Sequence, residues 1–146
     1  MSRKRENVRQ CKAIRQLIDD NKYTKALELI DAIPLEEVGS LDDLYRYAEL
    51  YEKAERMDKK KEIFYHIYHR THSRYMLNRL LRLTIRMGDM EEARELYFAY
   101  EVAGPITLDT FELRYLLAKA EGEPPERLIQ ILEELKKEEY TEEWGF

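Results

Sequence analysis

Ser73–Pro105 reads SRYMLNRLLRLTIRMGDMEEARELYFAYEVAGP, and this stretch decides the fold. Leu77, Leu80, Leu81, Thr84 and Ile85 recur at helical spacing behind Ser73, whose hydroxyl suits an N-cap. Gly88-Asp89 then makes a turn, and Asp89 with Glu92 fits an acidic capping box. Ala93, Leu96, Tyr97 and Tyr100 form a second apolar stripe that stops at Gly104-Pro105. The stretch is one helix–turn–helix unit, and the same unit recurs along the chain. Ala26, Lys60, Ala93 and Arg127 are spaced 34, 33 and 34 apart, and Leu44, Leu77, Phe111 and Trp144 are spaced 33, 34 and 33. Two registers sharing one period predict an array of helical hairpins.

Working outward, a first helix is expected over 5–19, with Val8, Cys11, Ile14, Leu17 and Ile18 on one face. Asp20-Asn21 turns the chain into a second helix over 23–33, ended by Pro34. Residues 34–40 form the longest loop. Ser40 caps a third helix with Leu44, Tyr47, Ala48 and Tyr51 inward, and a turn near Met57-Asp58 leads to a fourth with Ile63, Phe64 and Ile67. Thr107 opens a seventh helix carrying Phe111, Tyr115 and Ala118. Gly122 to Pro125 breaks it, and an eighth follows with Leu128, Ile131, Leu132 and Leu135. Nothing alternates with period two, so no strands are expected.

These residues resemble the tetratricopeptide repeat (TPR), a helix–turn–helix unit of about 34 residues. Leu77, Leu80, Gly88, Ala93, Tyr97 and Pro105 follow its order and spacing, as do Leu44, Ala48, Tyr51 and Phe64; Tyr23, Ala26 and Ile30; and Phe111, Gly122 and Ile131. The resemblance implies an all-α, right-handed α-solenoid of four antiparallel helical hairpins, with repeats over 5–38, 40–72, 73–105 and 107–139. Residues 140–146 would open a truncated fifth. The chain departs from the pattern at Lys60 and Arg127, where the family has a small residue, and at Thr84 and Ala118, where an aromatic is usual. The departures predict looser packing or a slipped register in the second and fourth repeats.

Composition narrows the function. The chain is 44% hydrophobic and 38% charged, with five Gly and four Pro among 146 residues, which suits a soluble helical protein. No apolar run is long enough to span a membrane, and no apolar stretch follows the basic start to make a secretory signal. The one cysteine, Cys11, has no partner for a disulfide within the chain, so the cytoplasm is the expected location. Charge is uneven: residues 1–86 carry 19 Lys/Arg against 14 Asp/Glu, and residues 87–146 carry 6 against 16. Such a chain can stack head to tail or offer its basic half to an acidic partner. Helical ion pairs such as Glu49–Lys53 and Glu52–Arg56 are the plain alternative.

No catalytic motif is present, neither HExxH, GxGxxG, a P-loop nor GxSxG, so a non-enzymatic role with no cofactor is expected. In TPR arrays the first helix of each pair lines a concave groove, and ligands are met two and five positions after its bulky residue. Those slots read Lys12, Arg46, Arg79 and Leu113, then Arg15, Glu49, Arg82 and Leu116. The resemblance assigns peptide contacts to the cations among them, together with Tyr45, Asn78 and Arg86, which neighbour this stripe. Arginine forks pair with carboxylates, so an acidic or carboxylate-bearing peptide is the expected ligand. The competing expectation is a solvated face whose Arg and Lys stems cover apolar neighbours.

Three other features compete. His66, His69 and Glu62 share helical spacing, but no second ligand cluster accompanies them, so no metal is assigned. Basic residues between 59 and 86 interleave with Tyr65, Tyr68 and Tyr75, a pattern that suits single-stranded nucleic acid. The acidic pI of about 5.4 argues against it. Finally, Trp144 and Phe146 give the chain an apolar end expected to mediate self-association or to continue a longer array.

Overall fold

The computed structural model describes residues 3–144, with side chains over residues 5–138. The chain is all-α and forms two compact units, Met1–His72 and Ser73–Phe146. Among the described residues there is no strand.

The first unit holds α1 (Arg3–Asp19), α2 (Tyr23–Ala32), a short 3-10 helix (Leu35–Glu37), α3 (Leu41–Lys53) and α4 (Met57–Thr71). α1 packs on α2, α2 on α3, and α3 on α4. Asn21, which tolerates the left-handed region, turns α1 into α2 at φ 59°. The turn expected near Met57-Asp58 lies earlier, over Ala54–Arg56, with Glu55 left-handed at φ 59° and Met57 already helical. No Gly or Asn marks that turn, so the sequence carries no signal for it. Ser40 caps α3 by accepting from the Asp43 amide. The core is built on Ile14, Leu44, Tyr47, Ile63, Phe64 and Ile67, each 0–1% exposed except Phe64 at 2%. Burying such a side chain contributes about 1.5–3 kcal/mol.

Lys60, at a small-residue slot of the repeat, is buried nonetheless. Its Nζ reaches Glu52 Oε1 at 3.0 Å and lies 5.3 Å from the Phe64 ring centre. Pairing offsets the cost of removing an ammonium from water. Arg70 closes the 34–40 loop by donating to the carbonyls of Leu35, Val38 and Gly39.

The second unit holds α5 (Arg74–Met87), α6 (Met90–Val102), α7 (Leu108–Ala120) and α8 (Pro125–Trp144). α5 packs on α6, α7 on α8, and α7 also touches α5 and α6. Ser73 accepts from the Met76 amide and Asp89 from the Glu92 amide, as their N-cap positions demand. Thr107 and Thr110 form a reciprocal capping box at α7. A Cβ at Gly104 would come within 2.7 Å of Arg74 Nη1, so a larger residue there would displace the Arg74 side chain. The Arg74 guanidinium lies 4.0 Å over the Tyr100 ring and donates to the carbonyls of Tyr100 and Pro105.

Four left-handed residues, Asn21, Glu55, Gly88 and Gly122, sit five residues before Ala26, Lys60, Ala93 and Arg127, and so share their period, while a fifth, His72, ends α4. Ala26 and Ala93 are fully buried, while Arg127 is exposed. At Thr84 no aromatic is needed: the side chain is fully buried and its hydroxyl donates to the Leu80 carbonyl at 2.7 Å. On α8 the expected stripe is only partly inward, with Ile131 buried but Leu132 40% exposed. Within each unit the helices pack on their neighbours in sequence, which is compatible with a helical-repeat fold.

Candidate functional site

Of the eight residues assigned to peptide contact, Lys12, Arg15, Tyr45 and Arg46 lie in the first unit, and Asn78, Arg79, Arg82 and Arg86 in the second. In the first unit, α1 turns Cys11 and Ile14 into the core, which leaves Lys12 and Arg15 on the outward side. Arg15 grips Asp43 with a two-pronged fork, Nε to Oδ1 at 3.1 Å and Nη2 to Oδ2 at 3.0 Å. Asp43 is almost fully buried, so the pair ties α1 to the first turn of α3. The hydrogen bond to Asp43 raises the Arg15 pKa above its ordinary value.

Lys12 and Arg46 are exposed and have no polar partner among the described residues, while Tyr45 is half-buried. Val8, expected inward, is 54% exposed because it borders a cleft instead of the core. This cleft of about 280 Å³ lies where α1 meets the 34–40 loop and the start of α3, and its walls include Val8, Cys11, Lys12, Arg15, Ser40 and Asp43. Tyr47 sits nearby in the core, 1% exposed, with its hydroxyl lacking a hydrogen-bond partner among the described residues. Burial, with the neighbouring Cys11 thiol, pushes the Tyr47 pKa up.

A second cleft of about 310 Å³, which the sequence does not announce, opens between the end of α2, the 3-10 helix and α4. Asp31 on its wall accepts from Tyr51 Oη and, at 2.8 Å, from Arg56 Nη1. Burial pushes Asp31 up, but those two hydrogen bonds outweigh it and hold the carboxyl below its ordinary value. Burial and the bond to Asp31 raise Tyr51. The phenol's partner lies 20 residues away, and no local motif links the two.

In the second unit the basic row on α5 is largely engaged. Arg82 Nε donates to Asn78 Oδ1 at 2.7 Å, and its Nη1 meets Glu112 Oε1 on α7 at 3.0 Å. Arg79 lies 5.8 Å from the Tyr75 ring centre, and Arg86 is exposed. Leu113 is fully buried and Leu116 half-buried, so these two slots serve the core.

His69 stacks against Tyr65, with ring centres 6.2 Å apart, and tilts against Tyr68. His66 Nε2 is buried without a hydrogen-bond partner among the described residues. Among the described residues no three His, Cys, Asp or Glu side chains converge in a way that could hold a metal ion. Phe146 and the side chain of Trp144 lie outside the described residues. No helix of the described residues is long and apolar enough to cross a membrane.

The geometry defines an all-α protein of two units, each built of helices that pack on their neighbours within the unit, with a cleft on the first unit lined by Lys12 and Arg15 as well as Glu37 and Asp43. Comparison with protein-family models, with curated proteins and with solved structures finds no match to this chain.

Proposed function

We propose that this chain is a TPR-like, right-handed helical solenoid of four hairpins that acts in the cytoplasm as a non-enzymatic interaction scaffold. Its ligand is an acidic or carboxylate-bearing segment of another protein, taken by the α1–α3 face of the first unit. One observation carries this proposal: Lys12, exposed and without a polar partner among the described residues, lines a cleft together with Arg15 already fixed by Asp43, while Arg46 on α3 is likewise exposed and without a polar partner among the described residues. A fixed guanidinium loses little freedom on binding, and two free cations gain a partner they lack. The α5 row offers less, because Arg82 is tied to Glu112 and Asn78.

The test is fluorescence anisotropy with a labelled Glu/Asp-rich peptide bearing a free C-terminal carboxylate. Lys12→Ala and Arg46→Ala are each expected to weaken binding about tenfold, the value of one charge-assisted hydrogen bond. Lys25→Ala, an exposed cation on α2, should leave the affinity unchanged. Equal losses at all three positions would mean that only diffuse charge is being sensed, and the proposal would fall.

A further inference from the structure

α6 carries an outward stripe that the core does not explain. Glu91, Glu95, Phe98 and Val102 follow one another at spacings of four, three and four, which aligns them on one helix face. Phe98 is 70% and Val102 71% exposed, the two most exposed large hydrophobic residues among those described. Glu91 and Glu95 have no partner among the described residues, whereas Arg94 is paired with Glu121 and Glu101 with Arg114. An aromatic knob flanked by two free carboxylates is therefore on permanent display.

The same chain carries the complement. The cleft on α1 offers Val8 and Cys11 as apolar wall and Lys12 as the cation with no polar partner among the described residues; Arg15 is held by Asp43, and Glu37 also lines the cleft. A cavity of about 150 Å³ holds benzene, so the roughly 280 Å³ here admits a phenyl ring. Lys12 stands one helical turn from Val8, as Glu95 stands about one turn from Phe98, so the spacing between apolar contact and charge is alike on both sides.

We propose that the acidic segment taken by the first unit is the α6 stripe of a second copy of this chain. Phe98 enters the cleft beside Val8 and Cys11, and Glu95 meets Lys12. This rests on the proposed acidic-ligand face and names its occupant. The contact is heterologous, with knob and socket on different surfaces, so each pairing leaves one of each free and association runs past the dimer unless a ring closes.

The experiment is light scattering on the full chain over a concentration series at low salt, alongside the anisotropy assay. The wild-type mass should climb above 17.7 kDa. Phe98→Ala should weaken association about tenfold or more, and Phe98 is exposed enough for the variant to fold. Lys12→Glu and Glu95→Lys should each weaken it, and the double charge swap in one chain should restore it. A monomer at every concentration overturns the inference. So does an oligomer that survives Phe98→Ala, or one that Trp144→Ser abolishes while Phe98→Ala does not. A monomer that still binds the acidic peptide through Lys12 and Arg46 overturns self-pairing alone; failure of both assays overturns the acidic-ligand face as well.

Discussion

The two units bury different kinds of polar group. Among the described residues, the first buries two charged side chains, Asp43 and Lys60; the second buries two hydroxyls, Thr84 and Thr110. Asp43 and Lys60 are matched by Arg15 and Glu52 on other helices, so their pairing holds tertiary structure together. Thr84 and Thr110 bond within their own helix or its cap, so they hold secondary structure together. The difference implies that removing a buried polar partner loosens the packing between helices in the first unit and the local helix structure in the second; salt acts instead on exposed pairs, such as Arg82–Glu112 and Arg94–Glu121 between helices of the second unit.

The sharpest way to break this comparison is Asp43→Ala. It removes both hydrogen bonds from Arg15 and should cost about 2 kcal/mol. Hydrogen exchange read by mass spectrometry should show the loss of protection in α1 and α3, with α5 to α8 unchanged; equal loss in both units would erase the distinction. A smaller effect, about 1 kcal/mol, is expected for Thr110→Val, which leaves the Thr107 amide without its acceptor at the head of α7. Fraying confined to that first turn supports the contrast, and loss of packing throughout the second unit contradicts it.

The smallest effect concerns pH. Burial, then the Arg70 guanidinium and His69, lower the His66 pKa from 6.5, with Glu36 opposing them. As pH falls through about 6.5 the unfolded chain takes up the proton before the folded one, so stability is lost in that window and the loss levels off below the folded pKa. Urea unfolding at about pH 7.5 and 5.5 should show a weaker first unit at the lower value, and His66→Phe should shrink that difference. A difference that survives the substitution would place the titrating group elsewhere.

Much of the fold was legible because helix ends carry their own chemistry. Ser40, Ser73, Asp89 and Thr107 cap where they stand, and Gly88 and Gly122 turn where glycine permits a left-handed backbone. Glu55 shows the limit: the helices on either side impose a left-handed turn on a residue that does not advertise one. The site was less legible because its decisive pairs are not local. Arg15 meets Asp43 28 residues on, Arg82 meets Glu112 30 residues on, and Arg94 meets Glu121 27 residues on. Each separation is close to one repeat. A reader of helical i,i+4 spacing matches Lys53 with Glu49, yet Lys53 lies over the Tyr23 ring, and Arg56 turns to Asp31. Sequence places the cations on the right helices but does not say which have been neutralised from the next repeat.

Cys11 is 7% exposed, is the chain's one thiol, and lines the α1 cleft. A reagent must reach its sulfur before it can react, so the rate of covalent labelling in dilute solution reports how open the α1 cleft stands. Without any engineered probe, the molecule carries a chemical clock for that opening, set in the wall of the cleft where a ligand would stop it.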